Sequence, residues 1–183
     1  DFTDYYYDQD KNNIQYLKTW GGTWTEYGAP NAQPDWDNFV DFVDNNPMTV
    51  PANYNIAKSQ YNTGSLIDYF LLNAYVVCAD WLNWNTGWWR GLDPNGDKKK
   101  WRYTLWDMDN TFGHGTNYTG IPTTGVNADP CDPSSLNDPG VPIWNEMLTN
   151  EDFFNDYLNR WQDLATTDLS CANMISVLDS MVA

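Results

Sequence analysis

Four side chains in the middle of the chain have the types and spacing for chemistry: Asp80 and Asn85, then Asp107 and Asp109. An acid followed five positions on by an amide, with a second acidic pair after a short intervening segment, suits phosphoryl transfer. That reaction is mostly positioning and charge neutralisation. One carboxylate, Asp80, takes or orients the proton of an attacking hydroxyl. Amide and carboxylate oxygens hold a hard divalent cation on the phosphates, a task that falls to Asn85 and Asp107 with Asp109 in support.

The elements around these residues decide whether they can meet. Residues 86–92 are rich in aromatic side chains, Asp93-Pro94-Asn95-Gly96-Asp97 is a turn with Asn-Gly at its centre, and residues 99–106 repeat a strand pattern. The spacing predicts a central β-hairpin over about 86–92 and 99–106, with Asp80 and Asn85 in the loop leading in and Asp107 and Asp109 in the loop leading out. Antiparallel pairing returns those two loops to the same end of the sheet.

The run LIDYFLLNAYVVCADWLNWNTGWWR, continued by KKKWRYTLWDMDNTFG, resembles the core of the CotH kinase family of secreted or spore-coat proteins. The similarity extends to DKNNIQYLKTWGG and PDWDNFVDFVDNN before it and to IWNEMLTNEDFFNDYLNRWQDL after it. The resemblance implies an α+β, mostly helical fold of protein-kinase-like C-terminal lobe type. It further implies ATP- and Mg²⁺- or Mn²⁺-dependent phosphoryl transfer to protein Ser or Thr. In that family the acid of the D-W-x-x-x-N loop is the presumed catalytic residue and the acids of W-D-x-D bind metal, which assigns Asp80 as catalytic and Asn85, Asp107 and Asp109 as metal ligands. A kinase also needs a small N-terminal lobe with a strand-borne lysine and a loop over the nucleotide. Neither is recognised in the chain, whose early lysines are Lys11 and Lys18. Residues 1–183 are therefore expected to form a single large-lobe domain, with the small lobe and other domains belonging to a longer parent protein.

Two other functions compete with this one. Strand-like YTLW before Asp107-Met108-Asp109-Asn110-Thr111 also fits the first motif of haloacid-dehalogenase-type phosphatases, in which Asp107 would be the nucleophile. That chemistry needs a downstream lysine, and no lysine follows Lys100. The second competitor is a noncatalytic adhesive or carbohydrate-associated surface module, in which Trp84, Trp88 and Trp89 would stack on sugars.

Composition narrows the partners. With 9 basic against 25 acidic residues and a net charge of −16, the chain lacks the clustered cations that nucleic-acid phosphates require. The one basic run, Lys98 to Lys100, reads as a solvated turn. The most apolar run, Leu66 to Ala79, is too short to span a membrane and contains Asp68 and Asn73; it reads as a buried helix feeding the loop of Asp80. Of the three cysteines, Cys78 reads as a small core residue, and Cys131 with Cys171 is the pair in which a disulfide could form. Family and composition together favour an extracellular or cell-surface location and a protein substrate.

Several other features have plainer readings. The Asp93 to Asp97 turn imitates a calcium loop, but Lys98 stands where the loop requires glycine. The sole histidine, His114, has no partners in sequence for a zinc site. Arg90 and Arg102 are expected to make surface pairs. Residues 114–141 have no periodicity, as an activation segment and substrate platform would not. The remainder is helical scaffold: 35–45 with Trp36, Phe39, Val40 and Val43 inward, 51–61, a helix capped by Asn150 with a stripe from Phe153 to Ala165, and 172–182 with Met174, Ile175, Leu178 and Met181 as core.

Overall fold

The computed structural model describes residues 2–19, 22–78, 85–95, 99–112 and 142–183. Seven helices and four strands occur among them, in the order α1 (Phe2–Tyr7), β1 (Ile14–Thr19), β2 (Thr23–Gly28), α2 (Ala32–Asn45), α3 (Pro51–Gln60), α4 (Thr63–Tyr75), β3 (Thr86–Gly91), β4 (Arg102–Thr104), α5 (Pro142–Leu148), α6 (Glu151–Thr166) and α7 (Cys171–Val182).

The expected hairpin is present as β3 and β4, paired antiparallel with Gly87 opposite Thr104 and Trp88 opposite Tyr103. It is half of a larger sheet of order β2-β1-β3-β4. β1 runs antiparallel to both neighbours, with Leu17 opposite Trp88 and Lys18 opposite Gly87. The first hairpin was not anticipated, although Gly21-Gly22 between two β-prone runs is a recognised turn signal.

Alternation along the strands divides the sheet into two faces. Leu17, Trp88 and Tyr103 point into the core, where Trp88 lies 4.7 Å from Trp36 of α2 and Tyr103 stacks on Tyr69 of α4 at 4.0 Å. The core continues into the helices through Phe70, whose ring is stacked at 3.9 Å on Trp144 of α5. Trp144 in turn meets Phe153 and Tyr157 of α6 edge-on. Such pairs add about 0.5–1.5 kcal/mol each beyond the area they bury. The opposite face carries Tyr16, Lys18, Trp89 and Arg102, and α1 covers part of it through Tyr7, 4.9 Å from Trp89. Gln9 clamps the chain after α1 to the hairpin by donating to the Asp93 carbonyl and accepting from the Asp93 amide. Its side chain fills the space where any Cβ at position 91 would stand, so Gly91 is required there.

Helix expectations hold for α2, where Trp36, Phe39 and Val43 are buried, and for α3, where Tyr54 and Ala57 are. The apolar run before Asp80 forms α4, but the helix ends at Tyr75, so Cys78 is buried three residues beyond it rather than within it. In α6 the stripe is narrower than expected, with Phe153, Tyr157 and Leu164 inward and Phe154 and Leu158 exposed. α7 is a correction of larger size: Met174, Ile175, Leu178 and Met181 are exposed and no residue of the helix is buried. Its apolar periodicity finds no facing element among the described residues.

Arg90 makes the expected ion pair, half-buried, whereas Arg102 leaves the surface. Arg90 donates to Gln15 and to Asp35, each at 2.7 Å, joining β3 to β1 and α2, and lies over Trp101. Arg102 is buried, with its guanidinium over Tyr7 at 4.7 Å and Trp89 at 5.3 Å. Flat cationic groups are weakly hydrated and accept aromatic faces in place of water, which lets them be buried here.

Among the described residues no helix is long and apolar enough to cross a membrane. Cys78 is buried and Cys171 exposed, and no disulfide joins them; Cys131 lies outside the described residues, as do His114, Lys98 and residues 114–141.

Asn150 caps α6 by accepting from the Phe153 amide at 3.1 Å and donates to the Met48 carbonyl at 2.8 Å. Asn150→Ala is expected to lower unfolding free energy by about 1–3 kcal/mol, because one cap is lost and one buried carbonyl is left unpaired; urea denaturation measures it. A second expectation concerns alkaline pH. Burial raises the phenol pKa of Tyr54, to about 12, and those of Tyr61, Tyr69 and Tyr103. A raised folded-state pKa means that the stabilisation is fully present below the ordinary phenol value of about 10 and is lost as pH rises through the folded value. Melting temperature should therefore fall above about pH 10 together with the appearance of tyrosinate absorbance, and a melting temperature unchanged up to pH 12 would contradict it.

Candidate active site

The β3–β4 ladder ends at Gly87 and Thr104 on the side from which the chain enters and leaves the hairpin. Asn85 precedes β3 by one residue, and Asp107 and Asp109 follow β4 within five. The structure thus brings Asn85, Asp107 and Asp109 to one end of the sheet, and the carboxylates of both aspartates are exposed there. Asp80 lies outside the described residues, and so does Trp84.

Local contacts fix both borders of this end. Thr86, directly after Asn85, is buried, and its hydroxyl meets the Tyr69 hydroxyl at 3.1 Å, which ties the start of β3 to α4. The exit of α4 is held in turn: the Cys78 amide donates to the Asn73 carbonyl, and Asn73 donates to the Tyr69 carbonyl. On the other side, the Phe112 amide donates to the Val76 carbonyl at 2.7 Å. That bond seats the segment after Asp109 against the end of α4, from which the chain proceeds two residues past Cys78 to Asp80. Asn110 is buried and Met108 packs on the core, so the exposed Asp107 and Asp109 alternate with anchored neighbours.

Backbone conformation is unusual at these positions. Asn85, Asp107 and Phe112 have positive φ, at 47°, 55° and 53°, and Val77 has 52°. Asn and Asp tolerate the left-handed region because their short polar side chains bond locally, whereas Phe and Val do not. Such residues store strain of order 1–3 kcal/mol each and persist only where surrounding structure holds them. Four of the seven such residues among those described lie at the borders of this loop pair, the others being Asp8, Asn31 and Lys99.

On the sheet face beside the acids, two β1 side chains reach across Gly87. The Tyr16 hydroxyl is hydrogen-bonded to Thr104, and a Cβ at position 87 would stand 2.9 Å from that oxygen. Burial and the nearby Glu26 carboxylate raise the Tyr16 pKa, partly offset by the Thr104 bond. Lys18 extends further, its ammonium 3.9 Å above the centre of the Trp106 ring, one residue before Asp107. A cation over an indole face gains about 0.5–2 kcal/mol depending on desolvation. Lys18 sits on β1.

An amide oxygen at Asn85 and carboxylates at Asp107 and Asp109 form an all-oxygen donor set, which fits a hard cation such as Mg²⁺ or Mn²⁺ and not a zinc site. Among the described residues no three His, Cys, Asp or Glu side chains cluster closely enough to bind a metal by themselves. The set is thus one of two carboxylates and an amide, to which Asp80 is the sequence-adjacent addition. Of the tryptophans proposed for sugar stacking, Trp88 and Trp89 are 5% and 8% exposed and present no platform. The phosphatase alternative expects Asp107 at the end of a central parallel strand, whereas β4 is the edge of an antiparallel sheet.

Comparison with curated proteins finds no match, and comparison with solved structures finds none. A family-wide sequence profile described as "CotH kinase protein" matches residues 3–183. This span takes in both hairpins, the acidic end of the sheet and every helix, so the chain belongs to the CotH kinase family.

Proposed function

We propose that this chain carries the catalytic half of a metal-dependent phosphotransferase that moves the terminal phosphoryl group of ATP to a Ser or Thr hydroxyl of a protein. The observation that supports it is the return of Asn85, Asp107 and Asp109 to one end of an antiparallel hairpin whose borders are bonded to the end of α4, in a chain of the CotH kinase family. A divalent ion bound there supplies charge neutralisation of the phosphate oxygens.

The remaining tasks fall to the chain itself. Asn85 Oδ1 and the Asp107 carboxylate would hold the ion, with Asp109 in support. Asp80, in the loop entered from α4, orients the acceptor hydroxyl and takes its proton. The anchored neighbours Thr86, Met108 and Asn110 keep the exposed oxygens in place and so reduce the reorganisation needed when charge develops. The parent protein is read as exported or surface-located, with a small lobe and other domains outside this chain.

Two measurements test the reading. With labelled ATP and a Ser- or Thr-containing acceptor protein, Asp80→Ala should reduce transfer by at least about 100-fold while ATP affinity is retained, because the residue acts on the hydroxyl and not on the phosphates. Undiminished transfer in that variant would remove Asp80 from its role. Millimolar Mg²⁺ or Mn²⁺ should raise the melting temperature by on the order of 3 °C, a gain that Asp107→Asn abolishes. Equal melting curves with and without metal would count against the ion site.

A further inference from the structure

We infer that the cleft between α1, α4 and the edge strand β4 is a docking site for the acceptor protein. It takes an uncharged segment with an aromatic or large aliphatic side chain a few residues from the Ser or Thr to be phosphorylated. The assignment rests on the phosphotransfer reading above and adds a specificity site to it.

Three observations carry it. The first is size and lining. The cleft holds about 610 Å³ between Phe2 and Tyr7 of α1, one face of α4 and residues 102–105, a volume within the range of sites that enclose a ligand. Phe2 and Leu105, large apolar residues that are 62% and 44% exposed, line it and gain from being covered. The second observation is charge. In a chain of net charge −16, the ionic groups of this cleft are answered from within the protein: Asp68 is paired with Arg160 at 2.6 Å, and the Arg102 guanidinium lies against Tyr7 and Trp89. A lining of rings, hydroxyls and neutralised charges complements an uncharged occupant, whereas a charged one would be desolvated without a partner. The third is direction. On α4 the lining residues Gly64, Asp68 and Leu72 share one face, and Leu72 stands one turn before Val76, whose carbonyl holds the Phe112 amide. On the other wall, Leu105 stands two residues before Asp107. Both walls lead to the end of the sheet that carries the acids. At a rise of about 3.3 Å per residue, a side chain seated in the cleft belongs to a residue about two to four positions from a hydroxyl at the site.

The occupant docks through its side chain and not as an added strand. The Tyr103 amide, on the outer edge of β4, already donates to the Ser65 hydroxyl at 3.0 Å, which closes that edge. Accepting this bond leaves the Ser65 hydroxyl proton to donate to a carbonyl of the incoming segment.

Gly64 offers a way to plug the cleft. A Cβ there meets the Asn62 side chain at 3.4 Å, an ordinary contact, so Gly64→Leu adds a side chain without moving backbone, and melting curves verify that it folds. The probes are uncharged peptides with one Ser and a Phe about three residues before or after it, the same peptides with Gly for Phe or Lys for Phe, and maltotriose. Transfer from ATP, and binding of dye-labelled copies with Ala for Ser, are measured in wild type and Gly64→Leu. Wild type should favour a Phe peptide over its Gly counterpart by about tenfold in KM and in Kd, and Gly64→Leu should erase the preference. Transfer without that preference, or a preference that survives in folded Gly64→Leu, overturns the docking site and leaves phosphotransfer standing. Phe-peptide binding that Gly64→Leu abolishes, in a protein that transfers nothing, supports a peptide site here and removes the phosphotransfer reading. A preference for the Lys peptides, or maltotriose binding that Gly64→Leu blocks, overturns the assignment.

Discussion

Antiparallel pairing between β3 and β4 requires that the chain enter and leave the hairpin at the same end, and the placement of Asn85, Asp107 and Asp109 follows from that requirement. The ladder is short, three residue pairs, so backbone hydrogen bonds alone would not hold it. Its rigidity comes from what each face rests on. Trp88 and Tyr103 are pressed between Trp36 and Tyr69, so that sliding the register by one residue would turn two large rings out of the core and Trp89 and Arg102 into it. Register is thereby specified by burial, and with it the height at which Asn85 and Asp107 emerge.

A division of labour between anchored and exposed residues runs through this end of the molecule. Thr86, Asn110 and Cys78 are buried while Asp107 and Asp109 are open to solvent. The bond from the Phe112 amide to the Val76 carbonyl couples the two loops directly. Left-handed backbone at Val77 and Phe112 flanks that bond, which holds the two segments together. Such backbone at these two positions, in residue types that rarely adopt it, accords with a site whose geometry outranks its stability.

How much of this was legible depended on what kind of signal each element carries. The hairpin was readable because a tight turn with Asn-Gly separates two aromatic runs, and α2 and α6 because apolar residues recur at helical spacing over several turns. The β1–β2 hairpin was not read, since a bulge between Tyr16 and Leu17 breaks the alternation and β2 is exposed along its whole length, leaving no buried face to mark it. α7 shows the converse limit: periodicity reveals that a helix has an apolar face, but which element covers it is a tertiary fact. Arg102 looked like a surface residue because nothing local announces that Tyr7, from the far end of the chain, and Trp89 will enclose its guanidinium. The candidate positions Asp80, Asn85, Asp107 and Asp109 were read from type and spacing, and of these the described residues include Asn85, Asp107 and Asp109.

The central claim is that Asn85 and the aspartates after β4 share one metal ion. Anomalous diffraction from crystals of the protein grown with Mn²⁺ and a nonhydrolysable ATP analogue tests it directly. The account predicts a manganese peak coordinated by Asn85 Oδ1 and the Asp107 carboxylate, on the sheet end bordered by Thr86 and Phe112. A peak held only by surface acids elsewhere, such as Asp152 and Asp156 of α6, with Asn85 turned away from Asp107, would contradict it.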